Sequence, residues 1–287
     1  MVVRQQVKPT PVNPTDQYGV VGHPVKHSLS PRIHTLFAEQ TEQQLEYQAK
    51  ELFLKDFEGQ VRKLQEAGYR GLNVTVPFKQ QAYEICDERS PRANDAGAVN
   101  TLIFQDDGTI AGDNTDGVGL TRDLITNHRV LIQRRKVLIL GAGGAVRGVI
   151  APLQILEPAS ITIANRTLEK AEKLEEDFGR PDSQVLACRY DDLGEQKFDL
   201  IINGTAAGLT HQVAPVPDAV LGINSICYDM MYNIEGNTDF VDWAVNLGAS
   251  RTFDGLGMLI EQAAESFFIW RGTRPDTRPV ISQLRQS

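Results

Sequence analysis

The stretch Lys136-Val137-Leu138-Ile139-Leu140-Gly141-Ala142-Gly143-Gly144-Ala145-Val146-Arg147-Gly148 decides the fold of this chain. Val137 to Leu140 form a short apolar run of the kind buried on both faces of a parallel sheet. The glycines allow a tight turn, and a helix opens behind them. Such a turn offers bare backbone N–H groups and a positive helix end to a pyrophosphate. The spacing is G-x-G-G-x-x-x-G, with Val146 where the usual fingerprint has its third glycine. A second strand, Ile161-Thr162-Ile163-Ala164, ends on Asn165-Arg166-Thr167. A site for NAD carries an acidic residue roughly 20 residues after the glycines, to hold the ribose 2′-hydroxyl. Here Arg166 stands instead, and arginine suits a 2′-phosphate. The expected cofactor is therefore NADP(H). The turn alone would also fit a ligand-free strand-to-helix junction, and Arg166 alone a solvated surface arginine; their combination favours the nucleotide.

Working outward, strands are predicted at 137–140, 160–164, around 185–187, 198–203 and 225–230, with helical segments between them, clearest from Thr167 to Phe178. This is the pattern of a doubly wound nucleotide-binding domain. The first half starts with a strand at 18–22. Ser30 is predicted to cap a helix with Pro31 at its first position. A second helix starts near Asp56, carries Phe57, Val61 and Leu64 on one face and stops at Gly68. Strands follow at 71–76 and 98–104, with a helix through Ala82, Ile85 and Cys86 between them and a turn at Asp107-Gly108. The alternation predicts an α/β layer with parallel strands. A last long helix, Met258 to Trp270, can fold back onto the first half.

With 287 residues the chain fits two domains or one large one. Its 41% apolar and 23% charged residues are those of a soluble globular protein. The sequence has no apolar run long enough for a membrane span and no apolar signal-peptide core. Met1 to Asp16 is polar and proline-bearing and reads as a disordered or loosely attached lead-in. Cys86, Cys188 and Cys227 are scattered and suggest reduced thiols in a cytoplasmic protein, without metal-ligand spacing. The formal charge of −8 argues against a nucleic-acid partner, and an anionic ligand must be held by local groups.

Several polar residues of the first half exceed what a scaffold needs. Ser28 and Ser30 flank Leu29 before a helix, where two hydroxyls and a helix end can seat a carboxylate. Thr75, Lys79, Asn100 and Asp116 follow. Each also has a plain structural reading: a capping or loop serine, a β-branched strand residue, a solvated lysine, a satisfied asparagine, a helix cap.

Taken together these pieces resemble one family. His27-Ser-Leu-Ser-Pro31, Asn73-Val-Thr-Val-Pro-Phe-Lys79, Gly97-Ala-Val-Asn-Thr101, Gly112-Asp-Asn-Thr-Asp-Gly117, Gly141-Ala-Gly-Gly-Ala145, Asn165-Arg-Thr167, Tyr228-Asp-Met-Met-Tyr232 and Asp254-Gly-Leu-Gly-Met258 occur in the order seen in shikimate dehydrogenases. The resemblance runs from about Tyr18 to the C-terminus. It implies an NADP-dependent oxidoreductase that interconverts 3-dehydroshikimate and shikimate on the route to chorismate and the aromatic amino acids. It implies that Ser28 and Ser30 bind the substrate carboxylate with help from Tyr232. Thr75, Asn100, Asp116 and Gln262 would bind the ring hydroxyls, and Lys79 and Asp116 would form the catalytic pair. Gly141, Ala142, Gly143, Gly144 and Ala145 would hold the pyrophosphate. Asn165, Arg166 and Thr167 would hold the ribose 2′-phosphate, with Lys170 in the place of a second arginine. Met230 and Gly255 would lie near the nicotinamide. No metal is implied.

The implied architecture is a substrate-binding and catalytic domain, 1–115 plus 256–287, and a Rossmann-type NADP domain, 116–255. The cleft between them would close around the substrate, with 112–117 and 254–257 as crossings. The partner is the small-molecule substrate; a homodimer is left open. The family often has alanine in place of Gly204 and serine or proline near Ala206. The rival readings are a quinate/shikimate dehydrogenase using NAD, and a non-catalytic sensor of NADPH or a cyclohexene acid. No acidic residue follows Arg166 before Glu169, against the first, and retention of Lys79 and Asp116 speaks against the second.

Overall fold

Two six-stranded sheets organise the chain. The computed structural model describes residues 15–181, 183–205, 207–210 and 212–286. The first sheet is built from β1 (Asp16–Gly22), β2 (Leu45–Glu51), β3 (Tyr69–Val74), β4 (Glu88–Arg89), β5 (Thr101–Phe104) and β6 (Ile110–Asp113), in the order β2-β1-β3-β5-β6-β4. Its helices are α1 (Ser30–Gln40), α2 (Phe57–Glu66), α3 (Lys79–Glu84) and α4 (Pro91–Ala96). After α5 (Asp116–Arg122) and a π-helical turn at Asp123–Asn127 the second sheet begins. It contains β7 (Lys136–Leu140), β8 (Ser160–Ala164), β9 (Val185–Cys188), β10 (Phe198–Asn203), β11 (Leu221–Asp229) and β12 (Arg251–Phe253), in the order β12-β11-β10-β7-β8-β9. Its helices are α6 (Gly144–Gln154), α7 (Leu168–Phe178) and α8 (Asp239–Asn246). The chain closes with α9 (Leu256–Arg271) and α10 (Thr277–Arg285).

The second sheet is parallel throughout, as predicted for a doubly wound domain. Two of its crossings are not the α-helices expected. Only a 3₁₀ turn at Tyr190–Leu193 separates β9 from β10, and short 3₁₀ turns lie between β10 and β11. Pro215 and Pro217 cannot donate to a helix ladder, so that second crossing stays irregular.

The first sheet is mixed, which corrects the expectation of parallel strands. β1 pairs in parallel with β2 and β3, but β5 runs antiparallel to β3 and to β6. The Asp107-Gly108 turn accounts for the β5–β6 pair: Gly108 adopts φ +87° there, and the chain doubles back as a hairpin, while β5 itself enters antiparallel beside β3. Two local expectations also change. Ser30 is the first residue of α1, not its cap; Leu29 holds the cap position, and the Ser28 hydroxyl accepts the Ser30 N–H at 3.2 Å. Asp116 likewise opens α5 with Thr115 before it. Of the lead-in read over Met1 to Asp16, residues 1–14 lie outside the described residues. Asp16 itself belongs to β1, pairs with Leu45 and is gripped by Arg271.

The last two helices return to the first sheet. Ile33 and Phe37 of α1 pack against Leu256, Ile260, Ala264 and Phe267 of α9 and Val280 and Leu284 of α10. Glu265, 6% exposed on α9, is the electrostatic centre of this return. It accepts hydrogen bonds from Arg92 at 3.1 Å, Arg122 at 2.5 Å and Arg274 at 2.5 Å. Burial by itself would raise its carboxyl. The hydrogen bonds from Arg274 and Arg122 and the surrounding guanidinium charge outweigh burial and hold it at about 2.

A carboxyl depressed in this way stabilises the fold above its unfolded value near 4.5 and loses that contribution as pH falls toward 2. Glu265→Gln is therefore expected to lower unfolding free energy at pH 7 by about 3 kcal/mol, the cost of opening a buried ion pair. The gap should narrow as pH falls from 4.5 toward 2. Denaturant titrations of both proteins across this range test it, and a pH-independent gap would contradict it.

Candidate active site

A cavity of about 300 Å³ opens where β1 and β3 end and α9 crosses over them. Ser28, Ser30, Thr75, Lys79, Asn100, Tyr232 and Gln262 all line it. These residues are scattered over most of the chain, and the fold brings them to one wall. Lys79 is aimed by its neighbour. Phe78 is 1% exposed and stacks on Phe57 at 4.9 Å, which anchors the start of α3. The Lys79 carbonyl accepts the Val99 N–H at 2.9 Å. Its ammonium then meets Asp116 Oδ2 at 2.6 Å. Asp116 does not line the cavity itself; it lies just behind Lys79, with 4% of its side chain exposed.

Asn100 fixes the polarity of this corner. Its Oδ1 accepts the backbone N–H of Thr115 at 2.9 Å, and a backbone N–H can only donate. The other end of the amide must be nitrogen, and it lies 2.9 Å from Asp116 Oδ1 and 2.8 Å from Gln262. The Gln262 atom facing it must then be the oxygen, which leaves the Gln262 NH₂ as a donor toward the cavity. The corner presents two donors, Lys79 and Gln262, around one carboxylate.

At the opposite end, Ser28 and Ser30 sit at the N-terminus of α1, whose first turn carries no acidic residue. Burial, reinforced by the negative charge of Asp254, pushes the Tyr232 phenol up, so it remains a protonated hydrogen-bond donor. Two positive or donor-rich ends separated by a polar floor suit a small anionic polyol.

The reading of the sequence assigned no role to Asn73, which forms part of that floor. Its amide nitrogen reaches the Asn100 carbonyl at 3.1 Å and Ser266 Oγ at 3.0 Å, while its oxygen accepts Tyr47 Oη–H at 2.8 Å. An asparagine inside a strand is unfavourable unless its amide is used, and that is the signal that could have found it. Behind Tyr47 the ring of His34 stacks at 4.0 Å, fully buried, and burial depresses it to about 3.

A second crevice, about 470 Å³, lies at the carboxyl ends of β7, β8 and β10, where the strand order reverses. Gly141, Ala142, Gly143, Asn165 and Arg166 line it, together with Gly204 and Thr205 of the 203–208 stretch that lines the cofactor crevice in the family; Tyr190 and Gln212 come from loops not singled out in the sequence. Gly141 holds φ +99°, a conformation that requires glycine. A Cβ at Gly143 or Gly144 would meet no heavy atom within 4 Å, so the turn has room for a ligand against its backbone. No side chain caps α6, and its first turn has no acidic residue. Its leading N–H groups therefore face outward toward an anion. Arg166 is exposed and, among the described residues, makes no ion pair. Its charge reaches Tyr190, whose phenol burial raises and Arg166 partly restores. These features fit a dinucleotide with a 2′-phosphate.

The remaining residues of the cofactor reading are not among those that line this crevice. Gly144 and Ala145 form the first turn of α6. Thr167 occupies the cap position of α7, and Lys170 follows in its first turn, both exposed. Met230 and Gly255 meet closely, where a Cβ on Gly255 would overlap the Met230 carbonyl, and the Met230 sulfur lies beside Gly204 of the crevice lining. Ala206 lies outside the described residues. Among the described residues no group of three His, Cys, Asp or Glu side chains is placed to hold a metal ion, and no helix is long and apolar enough to cross a membrane.

Comparison with known proteins bears on the same two regions. Residues 20–102 match the shikimate dehydrogenase substrate binding domain, 125–212 the shikimate / quinate 5-dehydrogenase model, and 255–285 the shikimate 5'-dehydrogenase C-terminal domain. The shikimate dehydrogenase (NADP(+)) of Methylobacillus flagellatus is 53% identical over 271 residues, covering 94% of this chain and 99% of that protein. Among solved structures, an Ael1 enzyme from Pseudomonas putida superposes with a TM-score of 0.88 at 46% identity, over 94% of this chain and 98% of that one. Shikimate 5-dehydrogenase from Thermus thermophilus, in complex with NADP(H) and shikimate, gives 0.82 at 30% identity, over 94% and 99%. A folded cavity and crevice of this kind, on a chain aligned along nearly its whole length with such enzymes, identify it as a member of the shikimate dehydrogenase family.

Proposed function

We propose that the chain reduces 3-dehydroshikimate to shikimate with NADPH, reversibly, and that the cavity and crevice described above are its two binding sites. The observation that carries this reading is the Lys79–Asp116 contact of 2.6 Å at the corner of a cavity whose lining mixes hydroxyl and amide side chains with apolar ones such as Val20, Val74 and Leu259. The domain division follows: 1–115 with 256–287 binds substrate, and 116–255 binds NADP(H). The setting is cytoplasmic, as in a biosynthetic route to chorismate and aromatic amino acids.

Ser28, Ser30 and the Tyr232 hydroxyl hold the substrate carboxylate at the α1 end. Thr75, Asn100 and Gln262 engage the ring hydroxyls, and Asp116, behind Lys79, acts on them through the Lys79 ammonium. This places the ring ketone beside Lys79. NADPH, when bound, supplies the hydride. As the ketone carbon gains it, negative charge grows on the oxygen, and Lys79 donates a proton there. Asp116 holds the Lys79 ammonium in line, and Asn100 holds Asp116 from its other oxygen. In the oxidative direction Lys79 takes the proton back from the hydroxyl. Gly141 to Ala145 would hold the pyrophosphate on the α6 end. Asn165, Arg166, Thr167 and Lys170 surround the 2′-phosphate, and Met230 and Gly255 border the nicotinamide.

Absorbance at the reduced-nicotinamide band tests the reaction, with shikimate or quinate paired with NADP or NAD. Rapid reduction of NADP by shikimate alone is expected; comparable rates with NAD or quinate, or silence in all mixtures, would refute the reading. Lys79→Ala should lower turnover by about 10²–10⁴ while shifting the shikimate KM far less. Near-normal turnover would remove Lys79 from the mechanism. Arg166→Ala should weaken NADPH binding by about 1.5–3 kcal/mol, the worth of a charged hydrogen bond, and leave NADH almost unchanged. Equal losses in fluorescence titrations of both cofactors would contradict the 2′-phosphate contact.

A further inference from the structure

Two departures noted in the sequence meet in the fold. Val146 stands in the position of the third glycine, whose absence of a side chain normally lets the helix lie close on the sheet. Gly204 stands at the end of β10, where the family often has alanine. Val146 is fully buried in the core that joins α6 to β7, β8 and β10. An ideal Cβ on Gly204 would overlap Val146 Cγ2, and would lie 3.1 Å from Met230 Sδ and 3.4 Å from the Leu140 carbonyl oxygen. Gly204 is not in the left-handed region, so glycine here answers to space and not to backbone conformation.

The backbone at 204 is also wedged between the strand end and the phosphate turn. Its N–H donates to the Leu140 carbonyl at 2.9 Å. Its own carbonyl oxygen lies 3.2 Å from where a Cβ on Gly141 would be. We infer that Val146 and Gly204 are a size-matched pair that sets the width of the cofactor crevice, with Val146 a positioning residue acting through the 203–205 wall. This rests on the reading of the crevice as the NADPH site.

The direction of yielding follows from the side chains. Val146 is β-branched, has a single stiff torsion and is packed on every side, so it cannot retreat. Met230 is unbranched and only partly buried, and its sulfur lies beside Gly204, which lines the crevice. A methyl group at 204 is therefore accommodated by moving the wall and Met230 into the space for the cofactor. A smaller residue at 146 would reopen that space.

NADPH fluorescence titration of the full chain tests the pair, alongside the shikimate KM at saturating NADPH. Gly204→Ala should raise the NADPH Kd about tenfold, the scale of a modest overpacking cost, with the shikimate KM within about twofold. The double variant V146A/G204A should bring the NADPH Kd back to within about threefold of the unsubstituted protein, because the two sites couple. A Gly204→Ala protein that binds NADPH normally, or a double variant that binds no better than Gly204→Ala, overturns the pair. If Gly204→Ala alone does not fold, the double variant decides: folded and binding NADPH supports the pair, unfolded overturns it. Failure of the unsubstituted protein to bind NADPH would overturn the reading of the crevice and the pair with it, which separates that outcome from a failure of the pair alone.

Discussion

The side-chain amide of Asn100 is the constraint on which the candidate site depends. It is 2% exposed and has nowhere to find water, so its partners must come from the protein. It draws them from both α5 and α9: the Thr115 N–H, the Asp116 carboxylate and the Gln262 amide. Rotating it by half a turn would set two donors against each other at Thr115 and two acceptors at Asp116. The amide therefore has one orientation, and that orientation decides which atoms of Asp116 and Gln262 remain for a ligand. Asn73, in the cavity floor, continues the same logic outward, tied to Tyr47 and Ser266 behind it. A network satisfied this fully is rigid, and rigidity is what a proton donor needs to stay in line with its acceptor.

The second half of the chain is more legible than the first. The apolar runs at 137–140, 161–164 and 200–202 are buried on both faces, so their pattern is continuous and hard to misread. β2 shows the opposite case. Leu45–Glu51 is an edge strand in which only Tyr47 is buried, and its signal is the short alternation of Leu45, Tyr47 and Ala49 with polar residues, which the reading of the sequence passed over. β4 has two residues and no period at all. The turn that sets β6 antiparallel to β5 is marked in the sequence, but nothing in the sequence marks that β5 pairs antiparallel with β3. In the site, Lys79 and Asp116 are separated by 37 positions, and nothing in spacing brings them together. Their pairing was legible only through family resemblance, and the geometry supplies the contact. Tyr190 and Gln212 came from irregular loops that carry no pattern.

The two halves meet through close-packed backbone. A side chain on Gly117 would overlap Pro152, one on Gly119 would press on Gln262, and one on Gly257 would overlap the Asp123 carboxylate. Helix α5 thus lies against both α6 and α9 with little between them. The glycines at these crossings serve proximity: none of the three has a left-handed backbone. Motion between the halves, where it occurs, must slide these surfaces or bend the chain beside them.

The return of α9 and α10 to α1 has a consequence for the order in which the protein can fold as it is made. Residues 136–253 form one continuous sheet, and nearly all of its apolar core comes from that span or from Leu120, Leu124, Val130 and Ile132 before it, so most of it can close once these residues have emerged. The earlier residues close one core among themselves, from Val21 to Ile110, but not the other. Ile33 and Phe37 wait for partners on 256–284, which are synthesised after the whole nucleotide-binding sheet. The half of the molecule that is translated first is completed last, and α1 carries an uncovered apolar face through most of synthesis. That interval is when the nascent chain most needs shielding from other apolar surfaces.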